Sequence, residues 1–207
     1  MKHFFIAMTI AFGAAAPACA GFVEGANAYN AKNYALALKE IIPLAKAGHA
    51  DAQHLLGLMH YLGRGVVRDY AQALGWHRKA AEQGKADAQY VVGAMYYTGN
   101  AIEADPKQAV TWFRKAAEKG HAEAQHALGL MYRYHAAGLP EDRVLAYVLW
   151  SLAAGGGNKN SVDQRNAIAR VMTPQQINEA ETLLRTWKPG LPLPLRSRSG
   201  VVVANNR

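Results

Sequence analysis

The side chains of this chain that could do chemistry are its histidines, serines and recurring acids, and their spacing argues against each chemistry in turn. His49 and His54 are five residues apart, as are His121 and His126. Two metal ligands on one helical face need a separation of three or four, and neither pair lies in a His-Glu-x-x-His helix, so no metal site is expected. His49 and His121 stand where Lys85 stands in the intervening segment, a position that asks only for a polar residue. Serine acyl-transfer sites of the Ser-x-x-Lys type need a lysine three residues on; Ser151, Ser161, Ser197 and Ser199 all lack it, and there is no Lys-Thr-Gly triplet. No glycine-rich phosphate loop or dinucleotide fingerprint occurs. Asp51, Asp87 and Glu123 fall in first helical turns, where a carboxylate complements the helix dipole. The chain is therefore read as non-enzymatic, without cofactor or metal.

The elements that carry these residues are copies of one another. Gly48 to Met59 (GHADAQHLLGLM) recurs as GKADAQYVVGAM from Gly84 and as GHAEAQHALGLM from Gly120, a period of 36 residues. A second half-unit starts at Asp69 and again at Asp105, with a drifted copy at Asp142 after a single insertion. Such a period marks stacked helical hairpins that present an extended surface. Each unit reads as helix A (about Ala50 to Leu62 in the first), a loop and helix B. Asp69 and Asp105 are N-caps, with Gln72 and Gln108 expected to complete capping boxes, and Pro106 takes the first helical position. Gly84 and Gly120 end the B helices in the left-handed conformation.

Ala52, Leu56 and Met59 form an apolar stripe at i, i+4, i+7, as do Ala88, Val92, Met95 and Ala124, Leu128, Met131. Ala73, Trp76, Ala80 and Ala109, Trp112, Ala116 face them from the B helices. Gly57, Gly93 and Gly129 sit inside A helices at a cost of about 1 kcal/mol each, which implies a packing role. Glycine and alanine let helices approach while tryptophan fills the space between hairpins.

At these positions the chain resembles the Sel1-like repeat family, relatives of tetratricopeptide repeats. The resemblance rests on Leu56-Gly57-x-Met59, the Gly63-x-Gly65-Val66 loop, Asp69-x-x-x-Ala73 and Trp76-x-x-x-Ala80-Ala81-x-x-Gly84. The middle unit has Tyr96 where the first has His60. The third departs most: Tyr134-His-Ala-Ala-Gly replaces the glycine loop, and Leu149-Trp150 is read as a shift of the aromatic by one. The resemblance implies an all-α, right-handed α-solenoid of helix hairpins, with helix A lining the concave side. It also implies that exported members assemble envelope complexes or regulate envelope functions, and that some cysteine-rich relatives act on β-lactams, for which no serine machinery is visible here.

The flanks read as incomplete units. Residues 21–47 hold a degenerate leading pair, Phe22 to Ala31 and Tyr34 to Ala47, the latter kinked at Pro43. Repeats follow over 48–83, 84–119 and 120–156. Residues 157–187 hold a closing pair, Val162 to Met172 and Pro174 to Thr186, with a capping box at Thr173. Residues 188–207 form a proline-rich basic tail, expected to be disordered or extended and able to touch an anionic surface.

The N-terminus has the layout of a signal peptide over residues 1–20: Lys2, an apolar run from Phe4 to Ala16, and small residues Ala18 and Ala20 before Gly21. The run is too short to span a bilayer, so no integral membrane protein is expected. Cleavage leaves a periplasmic or secreted chain without cysteine; the alternative is a lipoprotein anchored through Cys19. The formal charge is +8, and loss of Lys2 leaves +7. Export argues against a nucleic-acid partner. The expected function is that of an interaction scaffold or adaptor for another envelope protein or peptide; the alternative is a binder of a small ligand or peptidoglycan fragment. The expected binding face is the concave set left over by the core stripe: His54, Leu58, Tyr61, Tyr90, Ala94, Tyr97, His126, Leu130 and Arg133, without carboxylates and suited to an extended peptide or an acidic segment.

Overall fold

The computed structural model describes residues 15–100, 102–196 and 202–203. Lys2, the apolar run up to residue 14, Ser197, Ser199, Arg198 and Arg207 lie outside the described residues. Among those described, ten α-helices follow one another: α1 Ala15–Asn30, α2 Tyr34–Lys46, α3 Ala50–Leu62, α4 Tyr70–Glu82, α5 Ala86–Thr98, α6 Pro106–Glu118, α7 Ala122–Arg133, α8 Arg143–Gly155, α9 Lys159–Ala169 and α10 Pro174–Thr186. Consecutive helices pack on one another from α1 to α9, and α10 returns to α8. The result is an α-solenoid in which α1, α3, α5, α7 and α9 occupy the A layer. A short antiparallel pairing joins 195–196 to 202–203.

The boundaries follow from local chemistry. Asp69, Asp105 and Asp142 cap α4, α6 and α8, accepting from Gln72 N (2.9 Å), Gln108 N (3.0 Å) and Leu145 N (2.9 Å). The boxes expected with Gln72 and Gln108 do not form. The cap amides they would have satisfied are already committed: Asp69 N donates to His60 O, Asp105 N to Tyr96 O and Asp142 N to Tyr132 O, closing each loop onto its own A helix. Thr173 with Gln176 makes the full box on α10. His49 and His121 turn out to be N-caps, Nδ1 accepting from Ala52 N and Ala124 N at 3.3 Å, whereas Lys85 caps nothing. Gly48, Gly84 and Gly120 take φ of +97°, +90° and +87° at the turns into the next A helix.

Packing repeats with the same period. The three core stripes are buried throughout, with no member above 3 % exposed. Gln53, Gln89 and Gln125 are buried beside them and donate to Ala45 O, Ala81 O and Ala117 O (3.0–3.1 Å), pinning each A helix to the end of the preceding B helix. Trp76 packs on α2 and α3, Trp112 on α4 and α5, and Leu149 holds the same place against α6 and α7. The aromatic of the third unit is therefore not shifted. His77, Phe113 and Trp150 form a separate series, one residue later, whose rings lie flat on Gly57, Gly93 and Gly129. A Cβ at those glycines would meet the rings at 2.9, 2.7 and 2.5 Å. This contact within each hairpin is why a helix-breaking residue stands in all three A helices.

The ends differ from expectation. α1 begins at Ala15 and runs through the Ala20–Gly21 bond. α9 begins at Lys159, because Asn158 caps it. The chain beyond α10 does not leave the fold at Lys188. Trp187 and Leu193 are buried among α6 to α9, Gly190 N donates to Glu118 O (2.6 Å), and Leu193 N donates to Glu118 Oε1 (3.0 Å). Two apolar anchors within seven residues provide the burial that composition alone did not suggest.

Candidate protein-binding groove

Because α3, α5 and α7 present their non-core faces to one side, seven of the nine expected residues line cavities along it. His54 belongs to a cavity of about 210 Å³ with Phe22, Tyr29, Asp51 and Lys85. Leu58, Tyr61, Tyr90 and Ala94 belong to a second of about 210 Å³ between α3 and α5. Tyr90, Ala94, Tyr97 and Leu130 belong to a third of about 430 Å³ between α5 and α7, floored by Phe113 and Met131. Tyr97 is half exposed. A broader depression at the outer face of α1 and α2 lies away from all of them.

The remaining two are engaged elsewhere. His126 Nδ1 lies 2.7 Å from Ser161 Oγ on α9. Ser161 Oγ gives its proton to Asn158 Oδ1 (3.0 Å), so the imidazole is the donor in that contact. Ser161 is fully buried, which makes the pair a helix-docking contact without access for a substrate. Arg133 donates to Glu141 Oε1 at 2.8 Å, an oxygen it shares with Arg143 at 2.9 Å, and His135 approaches the other oxygen at 3.7 Å. The hydrogen bond from Arg143 holds the Glu141 carboxyl below the usual carboxylate range. The expectation of an arginine free of carboxylates is thus corrected. Lacking a glycine loop, the chain turns here with His135 and Ala137 in left-handed conformation (φ 56° and 58°), and that turn delivers Glu141 to Arg133.

One rim of the groove, formed by the N-termini of the A helices, carries a ladder that the sequence analysis had reduced to dipole effects. Lys85 Nζ bridges Asp51 (2.7 Å) and Asp87 (3.0 Å), and His121 lies 3.5 Å from Asp87 and 3.4 Å from Glu123. Burial opposes the charge on Lys85, but its hydrogen bonds to Asp51 and Asp87 outweigh burial and raise its pKa. Burial would likewise raise Asp87, yet the hydrogen bond from Lys85 leaves it lowered. Tyr90 stacks on His121 with ring centroids 4.9 Å apart, and Phe22 stacks on His49 at 5.2 Å.

Sequence reasoning also missed His77. It is fully buried in the wall of the α3/α5 cavity. Its Nδ1 lies 3.2 Å from His54 Nδ1, so one of the two neutral rings donates to the other, and its Nε2 has no partner. Burial, aided by the neighbouring His54, pushes His77 down to about 3. Burial lowers His54 and His126 as well. The signal was present in register: Gly57 and His77, like Gly93 and Phe113, are twenty residues apart. Among the described residues no three His, Cys, Asp or Glu side chains converge closely enough to hold a metal ion.

Comparison with known proteins agrees with this architecture. The Sel1 repeat family profile matches residues 50–85, 86–121 and 122–158, more than half of the chain. A Sel1 repeat protein from Oxalobacter formigenes is similar in structure, with 30% identity and a TM-score of 0.67 over 70% of this chain and 59% of that one. A protective antigen present in uropathogenic Escherichia coli strains, described as displaying an SLR fold, has 25% identity and a TM-score of 0.58 over 82% of this chain and 45% of that one. The chain thus spans less than two thirds of either protein. No curated protein gives a significant match. Three consecutive matched units, each with an aspartate-capped B helix and an aromatic ring laid on a glycine of its A helix, show that the chain belongs to the Sel1 repeat family.

Proposed function

We propose that this chain is an exported, non-enzymatic scaffold whose A-helix groove takes an extended segment of another envelope protein. The observation that carries this reading is the run of open cavities along α1, α3, α5 and α7, floored by aromatic and aliphatic side chains left over from the core. Helices supply no unpaired backbone to such a partner, so recognition falls to side chains, and tyrosine is well suited to it. Export is supported by the leader-like N-terminus. Cleavage after Ala20 would leave in place the α1 residues that pack on later helices, namely Phe22 on His49 and Gly25 and Ala28 against α2.

The test is site-specific photocrosslinking in producing cells. A photoreactive residue at Tyr97 should capture a defined protein, and one at Lys107, exposed on α6, should not. Capture from Lys107 alone would move the interaction to the convex side. The second reading, a small-ligand binder, is favoured by the size of the α5/α7 cavity, which falls in the range that holds small molecules. Its lining is largely apolar, which suits an aromatic or acyl group better than a sugar. Thermal stabilisation by such compounds, with no crosslinked protein, would select it.

A further inference from the structure

The two ends of the stack are finished differently. At the C-terminal end α10 lies on α8, Trp187 and Leu193 fill the edge, and the exposed residues of α10 include Asn178, Glu181, Thr182 and Arg185. That polar outer face is what the terminal unit of a repeat array needs in water. At the N-terminal end no described residue covers the first hairpin. Its outer face is a depression of about 750 Å³, lined by Val23, Asn27, Ala28 and Ala31 of α1 and by Leu36 of α2. Val23 is 55 % exposed. The other side of α1 holds it to the stack, where Phe22 stacks on His49 and Gly25 lies against Ile41. An apolar stripe that a preceding hairpin would cover is thus left bare.

Charge says what covers it. Glu24 and Lys32 stand at the two ends of this stripe, both exposed, and neither makes a salt bridge or hydrogen bond among the described residues. They are eight residues apart, roughly 12 Å along a helix. A two-fold axis near Ala28 runs α1 antiparallel to the α1 of a second copy, sets each Glu24 beside the partner's Lys32, and lays each Val23 over the partner's Ala31. The next turn of α2 adds Lys39 and Glu40, again one of each sign. A chain of formal charge +8 therefore has a neutral, self-complementary face at this end. Ala28 and Ala31, small residues at its centre, let two helices approach closely.

We propose that two copies of this chain pair through the outer face of α1 and α2, each closing the other's open end. The first hairpins then bury one another as successive hairpins do within each stack, while a dissociated copy keeps that end open. All the residues concerned lie beyond Ala20, so removal of the leader leaves the face intact. The cavities along α3, α5 and α7 lie away from it, so the pair carries two grooves, and a binding partner with two suitable segments gains avidity. The pairing does not depend on what the groove holds.

The test is sedimentation velocity on the native product over a series of protein concentrations, which should resolve a monomer and a dimer in reversible exchange. Val23→Arg should abolish the dimer while leaving the circular dichroism spectrum unchanged, because the side chain is exposed. Glu24→Lys and Lys32→Glu should each weaken pairing at least tenfold, since each replaces two opposite-charge contacts across the axis by two like-charge ones. The double variant should pair like the wild type. A chain that stays monomeric overturns the proposal; if its intact mass retains residues 1–14, that segment is the cover instead. A dimer indifferent to Val23→Arg, or a double charge variant that pairs no better than the single ones, overturns it as well, because the copies then meet elsewhere. Species that keep growing past two would mean head-to-tail stacking of one end on the other, and would likewise overturn it.

Discussion

Replacing His77 by phenylalanine should remove a large part of the acid sensitivity of the fold. Phe113 already occupies the equivalent place against Gly93, so the substitution imports a side chain that the architecture accepts. An unfolded histidine titrates near its ordinary value of 6.5, whereas burial and His54 hold the folded one at about 3. A base with a depressed folded pKa contributes stability above the unfolded value and loses it as pH falls from 6.5 towards 3. At pH 5 the unfolded chain binds nearly one proton more at this position, which costs about 2 kcal/mol; at pH 7 the same effect is about 0.2 kcal/mol. His54, whose pKa is also lowered, acts in the same direction in both proteins and drops out of the comparison to first order. Urea unfolding followed by circular dichroism, at pH 7 and pH 5, gives the four free energies required. The wild type should lose about 2 kcal/mol more than His77→Phe between the two conditions. Parallel losses would mean that His77 titrates normally and that its ring is not sealed between α3 and α4.

Trp112→Ala should destabilise by about 3 to 5 kcal/mol, because a buried indole is removed from between α4 and α5; a melt like that of the wild type would refute its place in the core. Gly129→Ala should be destabilising although alanine favours helix by about 1 kcal/mol. The new methyl would lie 2.5 Å from Trp150 Nε1, inside a buried contact whose overpacking costs about 1 to 3 kcal/mol, and unchanged or raised stability in thermal melts would contradict this. Intact-mass measurement of the native product should show a chain beginning at Gly21, and a diacylated species beginning at Cys19 would establish the lipoprotein alternative.

The helical array was legible because each boundary is written locally. Gly48, Gly84 and Gly120 mark the turns, Asp69, Asp105 and Asp142 mark the B helices, and the Ala-Leu-Met stripes state which face is buried. The groove residues could be named by subtraction, as the positions on α3, α5 and α7 that those stripes leave over. What could not be read depended on geometry between segments. The pairing of Arg133 with Glu141 requires a turn through left-handed His135 and Ala137, residues that seldom adopt it. The ladder from Asp51 to Glu123 appears only once successive helix N-termini align along one rim. His77 was overlooked beside Trp76, the more conspicuous aromatic, although its twenty-residue separation from Gly57 recurs between Gly93 and Phe113. The docking of Leu193 on Glu118 joins residues 75 apart, beyond the reach of any local pattern.

That last contact gives the molecule a direction. In a stack held together by neighbours alone, either terminus can fray, and opening spreads inward one hairpin at a time. Here the strap from Trp187 to Leu193 encloses α7 to α10 in a loop fastened at the end of α6, and none of those helices can peel away until it lifts. Unravelling by heat, by a protease or by pulling therefore starts at α1 and travels towards the strap. Amide exchange should slow progressively along the chain in the same sense, so that the first hairpins are the adaptable part of the groove and the last ones its anvil.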